Sequence, residues 1–200
     1  MRKLLLASIV MMTLLLSSCF VSSSLVFNES QTKGLPNLIA NPGFDPYSLD
    51  AATALQGWRV DHDPPDAEGD NVVIDTNVAL EGKTSVRIDA AEYATIIISD
   101  PFEVIRYGGY FIKANVRSDS SERPEVVLRY ITFKDDGKIY NRFRSKIRTS
   151  EEWKEGTISA GFIKPGVSFG RVAILVPPFK DGSVWIDDVG CWKVHHFRID

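Results

Sequence analysis

The 200-residue chain carries 23 Lys and Arg against 26 Asp and Glu, a formal net charge of −3, which excludes a strongly basic nucleic-acid binder. With 44% hydrophobic and 24% charged residues it has the composition of a globular protein and not of a disordered one. Two cysteines, Cys19 and Cys191, are too few for a disulfide framework, and the length suffices to bury a core without one.

Arg2 and Lys3 lead into an apolar run over 4–16. A membrane-crossing helix takes roughly 20 apolar residues, so this run reads as a secretory signal peptide over 1–18. Leu16-Ser17-Ser18-Cys19 resembles the bacterial lipobox, which implies lipidation at Cys19 and attachment to the cell envelope. The alternative is ordinary signal cleavage beside an incidental cysteine. Phe20 is not the aspartate that resembles an inner-membrane retention signal, which favours the outer membrane in a cell that has one. Residues 19–36, with Ser22, Ser23, Ser24, Ser30 and Gln31 ahead of Gly34 and Pro36, predict a flexible tether.

From Asn37 the pattern changes to short β-type runs between turn residues. Strands are predicted over 72–74, 85–88, 94–98, 110–117, 125–133, 139–147, 172–176 and 184–189. Asp135-Asp136-Gly137 predicts a hairpin between the fifth and sixth of these. In 110–117, Tyr110, Ile112, Ala114 and Val116 alternate with Phe111, Lys113, Asn115 and Arg117. Helical periodicity is confined to a turn or two near 48–55. Ten prolines, 14 glycines and no alternating helices predict an antiparallel β-sandwich over 37–194, followed by a tail over 195–200. Cys191, between Gly190 and Trp192, reads as a small buried hydrophobe.

Several of these runs match a known pattern in order. Asn37-Leu38-Ile39-Ala40-Asn41-Pro42-Gly43-Phe44-Asp45, then Gly57-Trp58, Gly82 to Ile88, Tyr110 to Ser118, Trp153 and Val184 to Val189 resemble the carbohydrate-binding modules of the family 4/9 type. The resemblance implies an all-β, galactose-binding-like jelly roll that binds glycans and holds one structural calcium. It further implies that Asp45, Asp187 and the Glu81–Lys83 loop converge on that ion, with Asp188 as the substitute in a shifted register. Asp45 is one methylene shorter than the glutamate common at this position. The alternative is that both aspartates are turn and edge residues without a metal.

The glycan site is expected on the central strands. Residues 110–148 hold ten Lys or Arg against five Asp or Glu, within an acidic chain. Arg129, Arg142 and Arg144 are the candidates for pairing carboxylates or sulfates, because a planar guanidinium forks onto such groups. Tyr140 and Phe111 are the candidate stacking platforms. A solvated strand face would give the same alternation. Asp61-His62-Asp63 lacks an accompanying nucleophile, and Asp187-Asp188 belongs to the closing motif, so a catalytic role is not expected. The expected function is a non-catalytic, lipid-anchored carbohydrate-binding protein, with surface glycan-degrading enzymes as its expected partners. The alternative is an envelope scaffold that uses the jelly roll for protein contacts.

Overall fold

The computed structural model describes residues 26–45, 55–67 and 69–198. The expected signal peptide, Cys19 and most of the helical turn expected near 48–55 lie outside the described residues. The described residues form eleven strands in two antiparallel sheets. One sheet contains β1 (Trp58–Asp63), β4 (Ala94–Ser99), β10 (Phe169–Val176), β7 (Glu125–Phe133) and β8 (Ile139–Arg148) in that spatial order, with β5 (Phe102–Glu103) on β10. The other is ordered β2 (Val72–Asp75), β3 (Ser85–Ala91), β11 (Phe179–His196), β6 (Gly108–Ser118) and β9 (Lys154–Ala160). Together they make the antiparallel β-sandwich predicted from the spacing of strands and turns, in the jelly-roll form that the resemblance implied.

The inner faces follow the period-two pattern. Ile112, Ala114 and Val116 of β6 meet Val126, Leu128 and Tyr130 of β7 within one core, all fully buried. Fully burying one such side chain contributes roughly 1.5–3 kcal/mol, so the alternation determines which face turns inward. The β7–β8 hairpin closes at Gly137, whose φ of 77° suits a turn there. β11 is bulged in the middle: Asp188 and Val189 together oppose Ala114, and Asp188 takes a φ of 47°.

Two boundaries differ from expectation. Residues 26–36, predicted to be tether, are docked on the outer face of the five-stranded sheet from Phe27 onward. Phe27 is buried, and its N–H donates to Ser159 Oγ at 2.9 Å. Beyond it, in a 3-10 turn over Glu29–Thr32, Glu29 lies 2.7 Å from Lys113 Nζ. Lys113 is also 2.6 Å from Asp188. Burial alone would lower the Lys113 pKa, but its bonds to Asp188 and Glu29 outweigh that and raise it. The predicted tail is likewise part of the sheet: His195 and His196 end β11, paired with Gly109 and Gly108, and Phe197 N donates to Tyr107 O.

Candidate functional site

Register places Arg129, Arg142 and Arg144 together on the outer face of the six-stranded sheet. Arg129 lies directly opposite Arg144, and Arg142 opposite Ile131. Like charges directly opposed across a strand pair are unfavourable. Among the described residues none of the three forms an ion pair, whereas neighbouring Lys146 is paired to Glu125 at 2.5 Å. Beside them Ile96, Ile98, Val127, Ile131 and Leu175 form a half-buried aliphatic floor. At one end of it Phe133 and Phe169 stack with centroids 4.8 Å apart and planes at 6°. The face therefore offers apolar area bordered by unneutralised guanidinium groups.

The two expected platforms are not on this face. Phe111 lies on the other sheet and is 2% exposed, against Trp192 at 6.3 Å. The alternation correctly turned it away from the core, but β11 and the docked N-terminal residues enclose that side. Phe111 therefore cannot act as a stacking platform. Tyr140 is displaced differently: Thr132 pairs with Asn141 and Phe133 with Ile139, so Tyr140 is the extra residue of a bulge. It lines a groove of about 530 Å³ between β8 and residues 161–164, with Lys134 Nζ 5.7 Å from its ring centroid.

The expected metal-site residues do meet. Asp187, fully buried, accepts hydrogen bonds from Leu80 N at 2.7 Å, Glu81 N at 3.0 Å and Asp188 N at 2.7 Å. Burial pushes its pKa up, against the lowering by these three amides. Asp45 accepts from Lys83 N at 3.3 Å and Thr84 Oγ1 at 3.0 Å. Gly82 at φ 66° brings the loop so close that a Cβ there would stand 2.8 Å from Asp45 Oδ2. Glu81 and Lys83 thus contribute backbone N–H groups to this corner, while their side chains are exposed. Two carboxylates with the nearby Gly43 and Phe44 carbonyls are oxygen donors of the type a hard cation takes. Among the described residues no three His, Cys, Asp or Glu side chains are grouped as a metal site.

Trp58 and Trp185 have structural roles. Trp58 Nε1 donates to Asn41 O at 2.7 Å, and its ring lies 4.9 Å from Phe44. Trp185 Nε1 donates to Asp75 Oδ2 at 2.8 Å. Sequence reasoning missed β1, where His62 packs edge-on to Tyr93 at 4.8 Å. It also missed Phe162, a lone aromatic in a connecting loop.

No protein-family model and no curated protein matches the chain. Among solved structures it is similar to the enzymatically active domain of bacteriophage CBA120 tailspike protein 4, at 11% identity and a TM-score of 0.62. That match covers 78% of this chain and 21% of the chain of that domain, so this chain spans about a fifth of its length. It is also similar to TmCBM61 in complex with β-1,4-galactotriose, at 19% identity and a TM-score of 0.55, over 79% of this chain and 99% of that one. A third similar structure is the CBM22-1 xylan-binding domain of Paenibacillus barcinonensis Xyn10C, at 13% identity and a TM-score of 0.51. There the cover is 78% of this chain and 94% of the domain. At these identities the likeness is one of fold: the neighbours include carbohydrate-binding modules built on the same β-sandwich.

Proposed function

We propose that this chain is a non-catalytic carbohydrate-binding protein that holds an anionic glycan across the outer face of the six-stranded sheet. The observation that carries the reading is the group of unpaired guanidiniums, Arg129, Arg142 and Arg144, beside a half-buried apolar floor. The floor receives the apolar faces of sugar rings, and the guanidiniums fork onto carboxylate or sulfate groups. The galactotriose and xylan ligands of the neighbouring modules support a polysaccharide ligand. The ordered motifs from Asn37 to Val189 support placement with the family 4/9 modules. The lipobox-like ending at Cys19 supports a lipid-anchored protein of the bacterial envelope, working beside surface glycan-degrading enzymes. The same reading includes a structural calcium held by Asp45 and Asp187. Its test is a thermal melt in calcium and in chelator, and coincident curves would remove the ion.

Affinity gel electrophoresis in polygalacturonate, neutral galactan and neutral xylan tests the ligand class. Retardation is expected in polygalacturonate, with release as salt rises and loss in the Arg129→Ala/Arg144→Ala double variant. Equal retardation in all three gels would remove the anionic preference. That no described aromatic is exposed at the centre of this face favours one second reading, a protein-contact surface on the same arginines. No retardation in any gel would leave that reading in its place.

A further inference from the structure

Tyr140 and Phe162 are the only exposed aromatic residues among those described, at 37% and 42% of full exposure, and both line the same groove. The groove opens where the two sheets part. At the end of β8 nearest β9 the sheets are closed by Ile147 packed onto Gly156, where even a Cβ would find Ile147 at 2.2 Å. Farther along, β8 and the loop after β9 separate, and Asn141, Phe143, Gly161, Ile163, Lys164 and Thr132 complete the walls. Its volume of about 530 Å³ lies within the range of small-ligand sites, about 300–1,000 Å³.

Phe162 is held outward by a backbone that a bulky residue rarely adopts, φ 54°. The neighbouring Ile163 is pinned on both sides, its N–H donating to Gly108 O at 3.1 Å and its carbonyl accepting from Tyr107 N. The Phe162 ring is braced by Tyr107 at 5.3 Å and Phe197 at 5.7 Å. Every polar side chain of the lining can donate. Asn141 Oδ1 is taken by Arg142 N at 2.8 Å, which leaves the amide Nδ2 for a ligand, and Lys164 is exposed beside it. Thr132, fully buried at the wall, carries a hydroxyl with no partner. Among the described residues no carboxylate lines the groove. A partner that fits two aromatic walls and acceptor-seeking donors has apolar faces and many oxygen acceptors, and a pyranose ring has both.

We propose that this groove is a second carbohydrate site, separate from the arginine face, that takes one or two neutral pyranose rings between Tyr140 and Phe162. It rests on the carbohydrate-binding reading for its ligand class but on none of the arginines. The test is an amide chemical-shift titration of the ¹⁵N-labelled full chain with β-1,4-galactotriose, xylotriose and trigalacturonate in turn. Saturable shifts at Asn141, Gly161, Phe162 and Lys164 with a neutral trisaccharide are expected. Binding should weaken at least about tenfold in Tyr140→Ala and in Phe162→Ala, and stay unchanged in Arg144→Ala. Tyr140→Ala alters only an exposed side chain and guards against misfolding of the strained Phe162 variant. Shifts confined to Arg129, Arg144 and Ala173 would overturn the groove and leave the face standing. Shifts confined to the groove would do the reverse, and shifts nowhere with all three sugars would overturn both.

Discussion

Gly156 sits where the edge strands of the two sheets touch, and Gly156→Ala sets two opposed effects against each other. Its backbone is not in the left-handed region, so strand propensity and the smaller unfolded-state entropy of alanine predict a gain of about 0.5–1 kcal/mol. The added methyl would lie 2.2 Å from Ile147 Cδ1 and 2.3 Å from Cγ1, where ordinary contact is 3.4–4 Å. Ile147 is 4% exposed, so it can yield only by leaving its rotamer or by prising the strands apart. Overpacking of this kind costs about 1–3 kcal/mol. Sterics should win, with a net loss near 1–2 kcal/mol in urea unfolding. The decisive measurement is the same substitution in an Ile147→Ala background, which lacks both clashing atoms. Ile147→Ala alone should cost about 2–5 kcal/mol, and adding Gly156→Ala to it should cost nothing or restore some stability. An equal loss in both backgrounds would refute the clash.

Two further predictions concern buried polar groups. Burial alone would raise the pKa of Asp75, yet the Trp185 N–H, the amides of Asn77 and Val78 and the charge of Arg87 together hold it below the usual value. A lowered folded pKa supplies stability that is present above the unfolded pKa and lost as pH falls through the folded one. Urea unfolding between pH 6 and pH 2 should therefore fall more steeply for the wild type than for Asp75→Asn; parallel profiles would show that the carboxylate contributes nothing. Tyr130 is fully buried with no partner for its hydroxyl, and burial, then Cys191 and Tyr110, push its pKa well above that of a free phenol. Tyr130→Phe should leave the Phe102 and Phe143 stacks intact and raise the unfolding free energy by about 1 kcal/mol. A loss of stability would show that the hydroxyl has a partner.

What local pattern carries was legible in the chain. The turn at Asp135-Asp136-Gly137 and the alternation over 110–117 identified the hairpin and the inward stripe, because both signals act over neighbouring residues. Period two also grouped Arg129, Arg142 and Arg144. It could not reveal what covers a face, so Phe111 was placed in the open when residues from the chain's beginning lie over that side. A one-residue bulge moved Tyr140 to the sheet edge, and no alternation marks an inserted residue. β1 was obscured because Arg59 and Asp61, ion-paired at 2.8 Å, make an edge strand look like a polar loop. Asp45 and Asp187 were brought together only through the family pattern, being far apart in the chain. That pattern did not disclose that the loop presents amides to them. Phe162 gave no signal, since its exposure depends on a backbone angle that neighbours impose.

The docking of Phe27 and Glu29 has a directional consequence. A tether acting on the residues ahead of Phe27 would pull on the five-stranded side, through Ser159, Lys113 and His195. The arginines ride on the opposite flank, so a molecule moored by its leading end would show them outward, like a palm turned away from its wrist. Cutting the Glu29–Lys113 contact would loosen that aim while leaving the grip itself untouched.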